Sequence, residues 1–151
     1  MIEITEYVDK YAADFKRLNL EWLDKYHLTE SHDLMILDNP RKYILDTGGV
    51  IYLALDGQQV VASAAIIDEG HGTFELAKMA VQSEYQGRGI SKMLIEKCLQ
   101  AAREKGAARI ILFSNHQLKT ALGLYEKYGF RHVEVEDSPF ATADVKMELT
   151  L

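Results

Sequence analysis

With a single cysteine, Cys98, the 151-residue chain has no means of closing an internal disulfide. Cys98 sits among Leu94, Ile95, Leu99 and Ala102 at helical spacing, which reads as a buried structural thiol. Proline is nearly as scarce, at Pro40 and Pro139 alone, and no Gly/Ser/Pro-rich linker, repeat or low-complexity tract divides the sequence. One continuous domain over residues 1–151 is therefore expected. No apolar run approaches the roughly 18 residues of a membrane span, so a membrane protein is not expected. The N-terminal Met1-Ile2-Glu3-Ile4-Thr5-Glu6 lacks the basic and then apolar regions of a secretory signal, which makes the cytoplasm the expected location. Basic residues are outnumbered, 17 against 23 acidic ones. The resulting net charge of −6 argues against a nucleic-acid ligand, which calls for a basic patch, and suits a cationic partner better. His27, His32, His71, His116 and His132 show no metal-ligand spacing, and no metal is expected.

What the chain does contain is an alternation of strand and helix patterns. Ile2–Thr5 reads as a short strand. Val8–Tyr26 carries Val8, Tyr11, Phe15, Leu18, Trp22 and Tyr26 near a 3.6-residue period, an amphipathic helix. The stretch from His27 to Asn39 is mixed and polar, with no element assigned, and Arg41–Asp46 forms a short helix behind Pro40 that stops at Gly48-Gly49. Val50–Leu55 and Val60–Ile67 flank Asp56-Gly57-Gln58-Gln59 as a hairpin, and Thr73–Val81 supplies another strand. A helix over Ser91–Lys105 ends before Gly106, Arg109–Phe113 follows as a strand, and His116–Tyr128 is helical up to Gly129. Arg131–Val135 and Asp144–Leu149 are the terminal strands. The order is that of a mixed α/β (α+β) fold.

Gln86-Gly87-Arg88-Gly89-Ile90-Ser91 lies between a strand and a helix. Its glycines permit a tight turn and close approach of a ligand, and the first N–H groups of the helix point outward at the positive end of its dipole. That arrangement binds a pyrophosphate, with Arg88 adding charge and the Ser91 hydroxyl free to cap the helix or touch a phosphate. No Gly-Lys-Ser/Thr follows, so the loop is not a Walker loop, and it lacks the third glycine of a dinucleotide fingerprint.

Gln86-x-x-Gly89-x-Ser91 resembles the Gln/Arg-x-x-Gly-x-Gly/Ala signature of the GNAT superfamily of N-acetyltransferases, with serine in place of the final small residue. Asn115, Ala121, Leu124-Tyr125 and Gly129-Phe130 are similar to a second family segment, in the right order behind the first. The resemblance is detailed from about Phe74 to Phe130. It implies a small bacterial-type, single-domain enzyme with a mixed, mostly antiparallel sheet of six to seven strands. About four helices would flank the sheet, which would be splayed at an acetyl-CoA cleft. It also implies loop amides of Gly87, Arg88, Gly89, Ile90 and Ser91 on the pyrophosphate, and the backbone of Met79 and Val81 paired with the pantetheine arm. Asn115 would touch the arm from its other side, and a bulge in the strand would aim the Met79 amide at the acetyl carbonyl.

Acyl transfer to an amine needs a neutral nucleophile, a stabilised oxyanion and a thiolate that need not stay charged. On periodicity Tyr125 belongs to an apolar helix face with Leu118 and Leu122, whereas the resemblance implies a phenol reaching the coenzyme sulfur as general acid. Glu75 lies among Phe74, Leu76 and Met79, which puts a carboxylate either at a wet rim or in a cleft. Its offset from Gln86 resembles that of the general-base glutamate in histone-acetylating members, and an ordered water is the alternative base. The function expected is acetyl transfer from acetyl-CoA to a primary amine, of a small molecule or of a peptide or protein, by direct attack in a ternary complex. The alternative is a non-catalytic acyl-CoA-binding module, and a homodimer is compatible with either. The acceptor pocket is expected between Trp22 and Leu45 and around Ser138-Pro139-Phe140. Glu21, Asp24, Glu30 and Asp33 read as a solvated acidic face or as an attraction for an amine.

Overall fold

The computed structural model describes residues 1–151. Strand β1 (Ile2–Glu6) is followed by helices α1 (Ala12–Lys25) and α2 (Ser31–Asp38), then by β2 (Val50–Asp56), β3 (Gln59–Gly70) and β4 (Thr73–Val81). Helix α3 (Ile90–Glu104), β5 (Arg109–Ser114), α4 (Lys119–Lys127), β6 (Arg131–Val133) and β7 (Val145–Thr150) complete the chain. The seven strands form one sheet in the order β1-β2-β3-β4-β5-β7-β6, antiparallel except where β4 meets β5. This is the mixed, mostly antiparallel sheet of six to seven strands that the family resemblance implies. No helix is long and apolar enough to cross a membrane.

Alternation along the central strands sends side chains to opposite faces, and each face is covered. On one, Ala62, Ala64 and Ile66 of β3 and Phe74 and Leu76 of β4 pack with Leu94, Ile95, Cys98 and Ala102 of α3. On the other, Ile51, Leu53, Ala65 and Ile67 pack with Phe15 and Leu18 of α1 and Ile36 and Leu37 of α2. Cys98 is fully buried, and burial pushes its thiol up to about 12, so it is a neutral packing group.

Local chemistry moves several boundaries. The first turn of the expected Val8–Tyr26 helix is a separate 3-10 turn, Asp9–Tyr11, with α1 proper starting at Ala12. The mixed polar stretch contains α2, begun by a reciprocal capping box between Glu30 and Asp33. Arg41–Leu45 is one π-helical turn rather than an α-helix, so α2 takes the place in the helix count that Arg41–Asp46 was expected to fill. Helix α4 starts at Lys119 instead of His116, because the Asn115 side chain accepts the Gln117 amide (3.0 Å) and holds that turn outside the helix.

Candidate active site

The sheet opens in its middle. β4 and β5 pair only at Thr73–Arg109, Phe74–Ile110 and Glu75–Ile111, after which they part, leaving Leu76 to Val81 with no strand on that side. On its other side β4 stays paired with β3, with one interruption. Ser63 faces Ala80 and Ala65 faces Ala77, so Lys78 and Met79 together oppose Ala64, a β-bulge with Lys78 at φ +53°. The extra residue changes which face the strand presents. By strict alternation Lys78 would follow Phe74 and Leu76 into the apolar core under α3; instead Met79 and Val81 take that side. Lys78 is buried on the α1 side with its Nζ 2.5 Å from Asp33.

Two cavities meet at the opening. A groove of about 580 Å³ runs past Val81, Gln86, Gly87, Gly89 and Ser91 to Lys119 and Leu124. A smaller cavity of about 120 Å³ lies between β4 and β5, walled by Glu75, Lys78, Asp33, Phe113, Asn115 and Phe140. Trp22, Met79, Leu118 and Tyr125 line both.

The groove's floor is backbone. Gly89 is the N-cap of α3 in the left-handed region (φ +79°) and Gly87 has the same φ. A Cβ on either would meet nothing within 4 Å, so space above the turn is free. The first helical amide bond runs from Met93 N to Gly89 O (3.3 Å) and no side chain caps the helix, which leaves the amides of Ile90, Ser91 and Lys92 without helical partners. Arg88 stacks on the Tyr85 ring at 4.6 Å, and the Tyr85 hydroxyl donates to Asp56 (2.6 Å). Gln86 reaches back, its Nε2 donating to Val81 O (3.1 Å). The Gln82 amide donates to Val61 O (2.8 Å) on β3; alternation then turns the backbone groups of Val81 towards the open side.

The small cavity is made of side chains. Glu75 is 5% exposed, and its carboxyl is pushed up to about 8, chiefly by burial and then by neighbouring Glu69, with Lys78 opposing. Glu75 therefore lies in the cleft and not at a wet rim. Tyr125, also buried, points its hydroxyl at Met79 Sδ (3.8 Å), and burial pushes the phenol up to about 12. The sequence left Tyr125 between core and cleft, and it occupies both: its ring packs edge-on against Phe130 while its hydroxyl reaches the junction of the two cavities. The outer wall is tied down by Glu30, which accepts the amides of Ala141 (2.8 Å) and Thr142 (2.9 Å) and the Thr142 hydroxyl. Burial alone would raise the Glu30 carboxyl, but those three donors outweigh it and hold it below its ordinary value. His32 packs edge-on against Phe140 at 4.9 Å, and Lys78 lies 5.3 Å from the same ring.

Not every expected residue lies where it was looked for. Asn115 lines the small cavity and is absent from the groove wall, and its side chain is committed, donating to Thr142 O (2.8 Å) and accepting the Gln117 amide. His116 is exposed, with its ring and amide both on Asp144, and lines neither cavity. Of the four acidic residues, Glu21 and Asp24 are solvated, whereas Glu30 and Asp33 are structural anchors, Asp33 in the wall of the small cavity and Glu30 behind it. The sequence reading passed over Lys78, Ser63 and Asn19. The available signal was a break of parity: apolar residues at 74 and 76 resume at 79 and 81, with a lysine in the gap.

A model of the acetyltransferase (GNAT) family matches residues 13–130. Human N-acetylaspartate synthetase is 35% identical over 101 residues, which is 66% of this chain and 33% of that protein. The chain spans less than half the length of the human relatives it matches. Among solved structures, a GNAT-family acetyltransferase of Staphylococcus aureus superposes with a TM-score of 0.91 at 23% identity, covering 99% of both chains. The PaiA N-acetyltransferase of Thermoplasma acidophilum, solved in complex with coenzyme A, gives 0.80 at 15% identity over 100% of this chain and 99% of that one. A parted β4–β5 pair, a glycine turn at the head of α3 and a family match covering most of the sequence all lead to one assignment: the chain belongs to the GNAT acetyltransferase family.

Proposed function

We propose that residues 1–151 act as one N-acetyltransferase unit that moves an acetyl group from acetyl-CoA to a primary amine by direct attack within a ternary complex. The observation that carries this reading is the unpaired edge of β4 from Leu76 to Val81, which runs from the glycine turn to the cavity holding Glu75. The residues present fit the coenzyme: open space above Gly87 and Gly89, amides at the start of α3 without helical partners, and a groove that ends at Tyr125. Acetyl-CoA supplies an activated thioester. The chain's own groups do the rest. The amides from Gly87 to Ser91 hold the pyrophosphate at the positive end of the α3 dipole. The backbone of Met79 and Val81 pairs with the extended arm as an added strand would.

Glu75 accepts the proton of the attacking ammonium. An ordinary amine, with a pKa near 10.4, is otherwise neutral at pH 7 only at a cost of about 4–5 kcal/mol. A carboxyl raised to about 8 is a far better base than an ordinary glutamate, and it lies in a cavity that meets the groove. The Met79 amide stabilises the oxyanion. Tyr125, at about 12, lies several units above an ordinary thiol, so its hydroxyl acts by donating a hydrogen bond to the departing sulfur rather than by giving up its proton. The test is release of free thiol from acetyl-CoA against a panel of amines, with the product identified by mass. Coenzyme binding without amine-dependent release would contradict catalysis and indicate an acyl-CoA-binding module.

A further inference from the structure

A line of buried hydrogen bonds joins α1 to the bulge in β4; none of its members touches the groove, Ser63 lines neither cavity, and Asn19 and Lys78 border the small one. Ser63 on β3 is fully buried and Asn19 on α1 is 2% exposed, on a sheet face otherwise filled by Ala65, Ile67, Phe15 and Leu18. Asn19 Nδ2 donates to Phe15 O (2.9 Å) and to Ser63 Oγ (3.1 Å). Phe15 O only accepts, so the amide orientation of Asn19 is fixed and its nitrogen faces Ser63. The serine hydroxyl has one proton, and with Asn19 acting as donor that proton goes to Lys78 O at 2.7 Å.

Lys78 O belongs to the same planar trans peptide as the Met79 N–H, and the two point in opposite directions. Drawing the oxygen towards β3 turns the N–H away from β3, into the gap that β5 has left. The peptide does not hold this orientation unaided, because Lys78 sits at φ +53°, where a residue with a Cβ is strained. Its side chain is held separately by Asp33.

We propose that Ser63 and Asn19 are positioning residues that aim the Met79 amide at the oxyanion, an inference that rests on the acetyl-transfer reading. Asn19→Asp is the sharper test. An acceptor-only carboxylate competes for the single Ser63 proton and draws it off Lys78 O, although Ser63 itself remains. Ser63→Ala removes the donor outright, and Ser63→Thr restores it.

The experiment records the ¹⁵N and ¹H shifts of the Met79 amide in the full chain, free, with coenzyme A and with acetyl-CoA, beside coenzyme A affinity by calorimetry. In the native chain, replacing coenzyme A by acetyl-CoA should move the Met79 proton. In folded Ser63→Ala and Asn19→Asp the free-state shift should differ and the acetyl-dependent movement should vanish, with coenzyme A affinity within about twofold. Turnover with the best amine should fall about 10–10²-fold, the scale of losing one oxyanion donor or less, and Ser63→Thr should recover it. A Met79 signal that still responds to the acetyl group in both folded variants overturns the proposal. Should Ser63→Ala fail to fold, Asn19→Asp of unchanged size carries the test. Failure of the native chain to bind coenzyme A would instead sink the acetyl-transfer reading, while the free-state shifts would still report whether Ser63 and Asn19 set the peptide.

Discussion

The two cavities that meet at Met79 and Tyr125 are built from different materials. The long groove is a backbone site, formed by an unpaired strand edge and the amides at the start of α3, with glycines where the turn needs φ near +79°. The small cavity is a side-chain site, gathering Asp33 from α2, Glu75 and Lys78 from β4, Asn115 after β5 and Phe140 before β7. A backbone site reads a ligand feature shared by many reactions, whereas a site of buried charges reads one acceptor. Substitutions should therefore separate the two: changes in the groove alter coenzyme binding, and changes in the small cavity alter rate, acceptor choice and pH dependence.

The largest effect is expected in the groove. Gly89→Asp puts a residue with a Cβ at φ +79° and a carboxylate at the proposed pyrophosphate position, so coenzyme A affinity should fall by at least about 100-fold. The free side of the turn has nothing within 4 Å to clash with, so the circular dichroism spectrum should remain native. Unchanged affinity by calorimetry in a folded variant would refute the groove assignment. On the other side of the junction, Glu75→Gln should leave coenzyme A affinity alone while turnover at neutral pH drops about 10²–10⁴-fold. A smaller loss there would transfer the base role to water.

Tyr125→Phe removes only the hydroxyl at the boundary. Turnover should fall about 10–10²-fold with little change in the Michaelis constant for acetyl-CoA, the scale of a hydrogen bond made mainly in the transition state. A raised Michaelis constant with turnover unchanged would make Tyr125 a groove residue instead.

The smallest effect is on stability. The Glu75 carboxyl is raised from 4.5 to about 8 by folding, so it stays protonated in the native chain while it ionises in the unfolded one. Its contribution is fully present below the unfolded value and is lost as pH rises through about 8. Glu75→Gln does not titrate. The variant should thus gain on the native chain as pH rises between those values, by on the order of 10 °C in Tm at the upper end. A Tm difference that does not change with pH would show that the carboxyl titrates normally.

How much of this was legible in the sequence follows the same division. The glycine turn and its helix were readable because backbone geometry restricts residue type: Gly87, Gly89 and the apolar spacing of Leu94, Ile95 and Cys98 carry local information. The seven strands were readable from short apolar runs and the turn residues between them, β4 to the residue at both ends. The small cavity was not. Asp33 looks like any acidic residue of a polar stretch until Lys78 is brought to it across 45 positions, and the break of parity after Leu76 does not say which acid Lys78 will meet. The same acidic residue hid α2, because a buried charge at the third position of the helix breaks the apolar period. Burial of Glu75 was likewise undecidable, since it depends on β5 leaving β4 one residue later.

The most direct test of the central claim is the pH dependence of amine-dependent thiol release from acetyl-CoA, followed from about pH 6 to about pH 10 in the native chain and in Glu75→Gln. The native kcat/KM for the amine should rise through an inflection near 8 as Glu75 loses its proton, and the variant should lack that inflection and follow only the amine's own ionisation. Thiol release that is independent of added amine, or a native profile identical in shape to that of Glu75→Gln, would contradict the assignment of this cleft as an N-acetyltransferase site with Glu75 as its base.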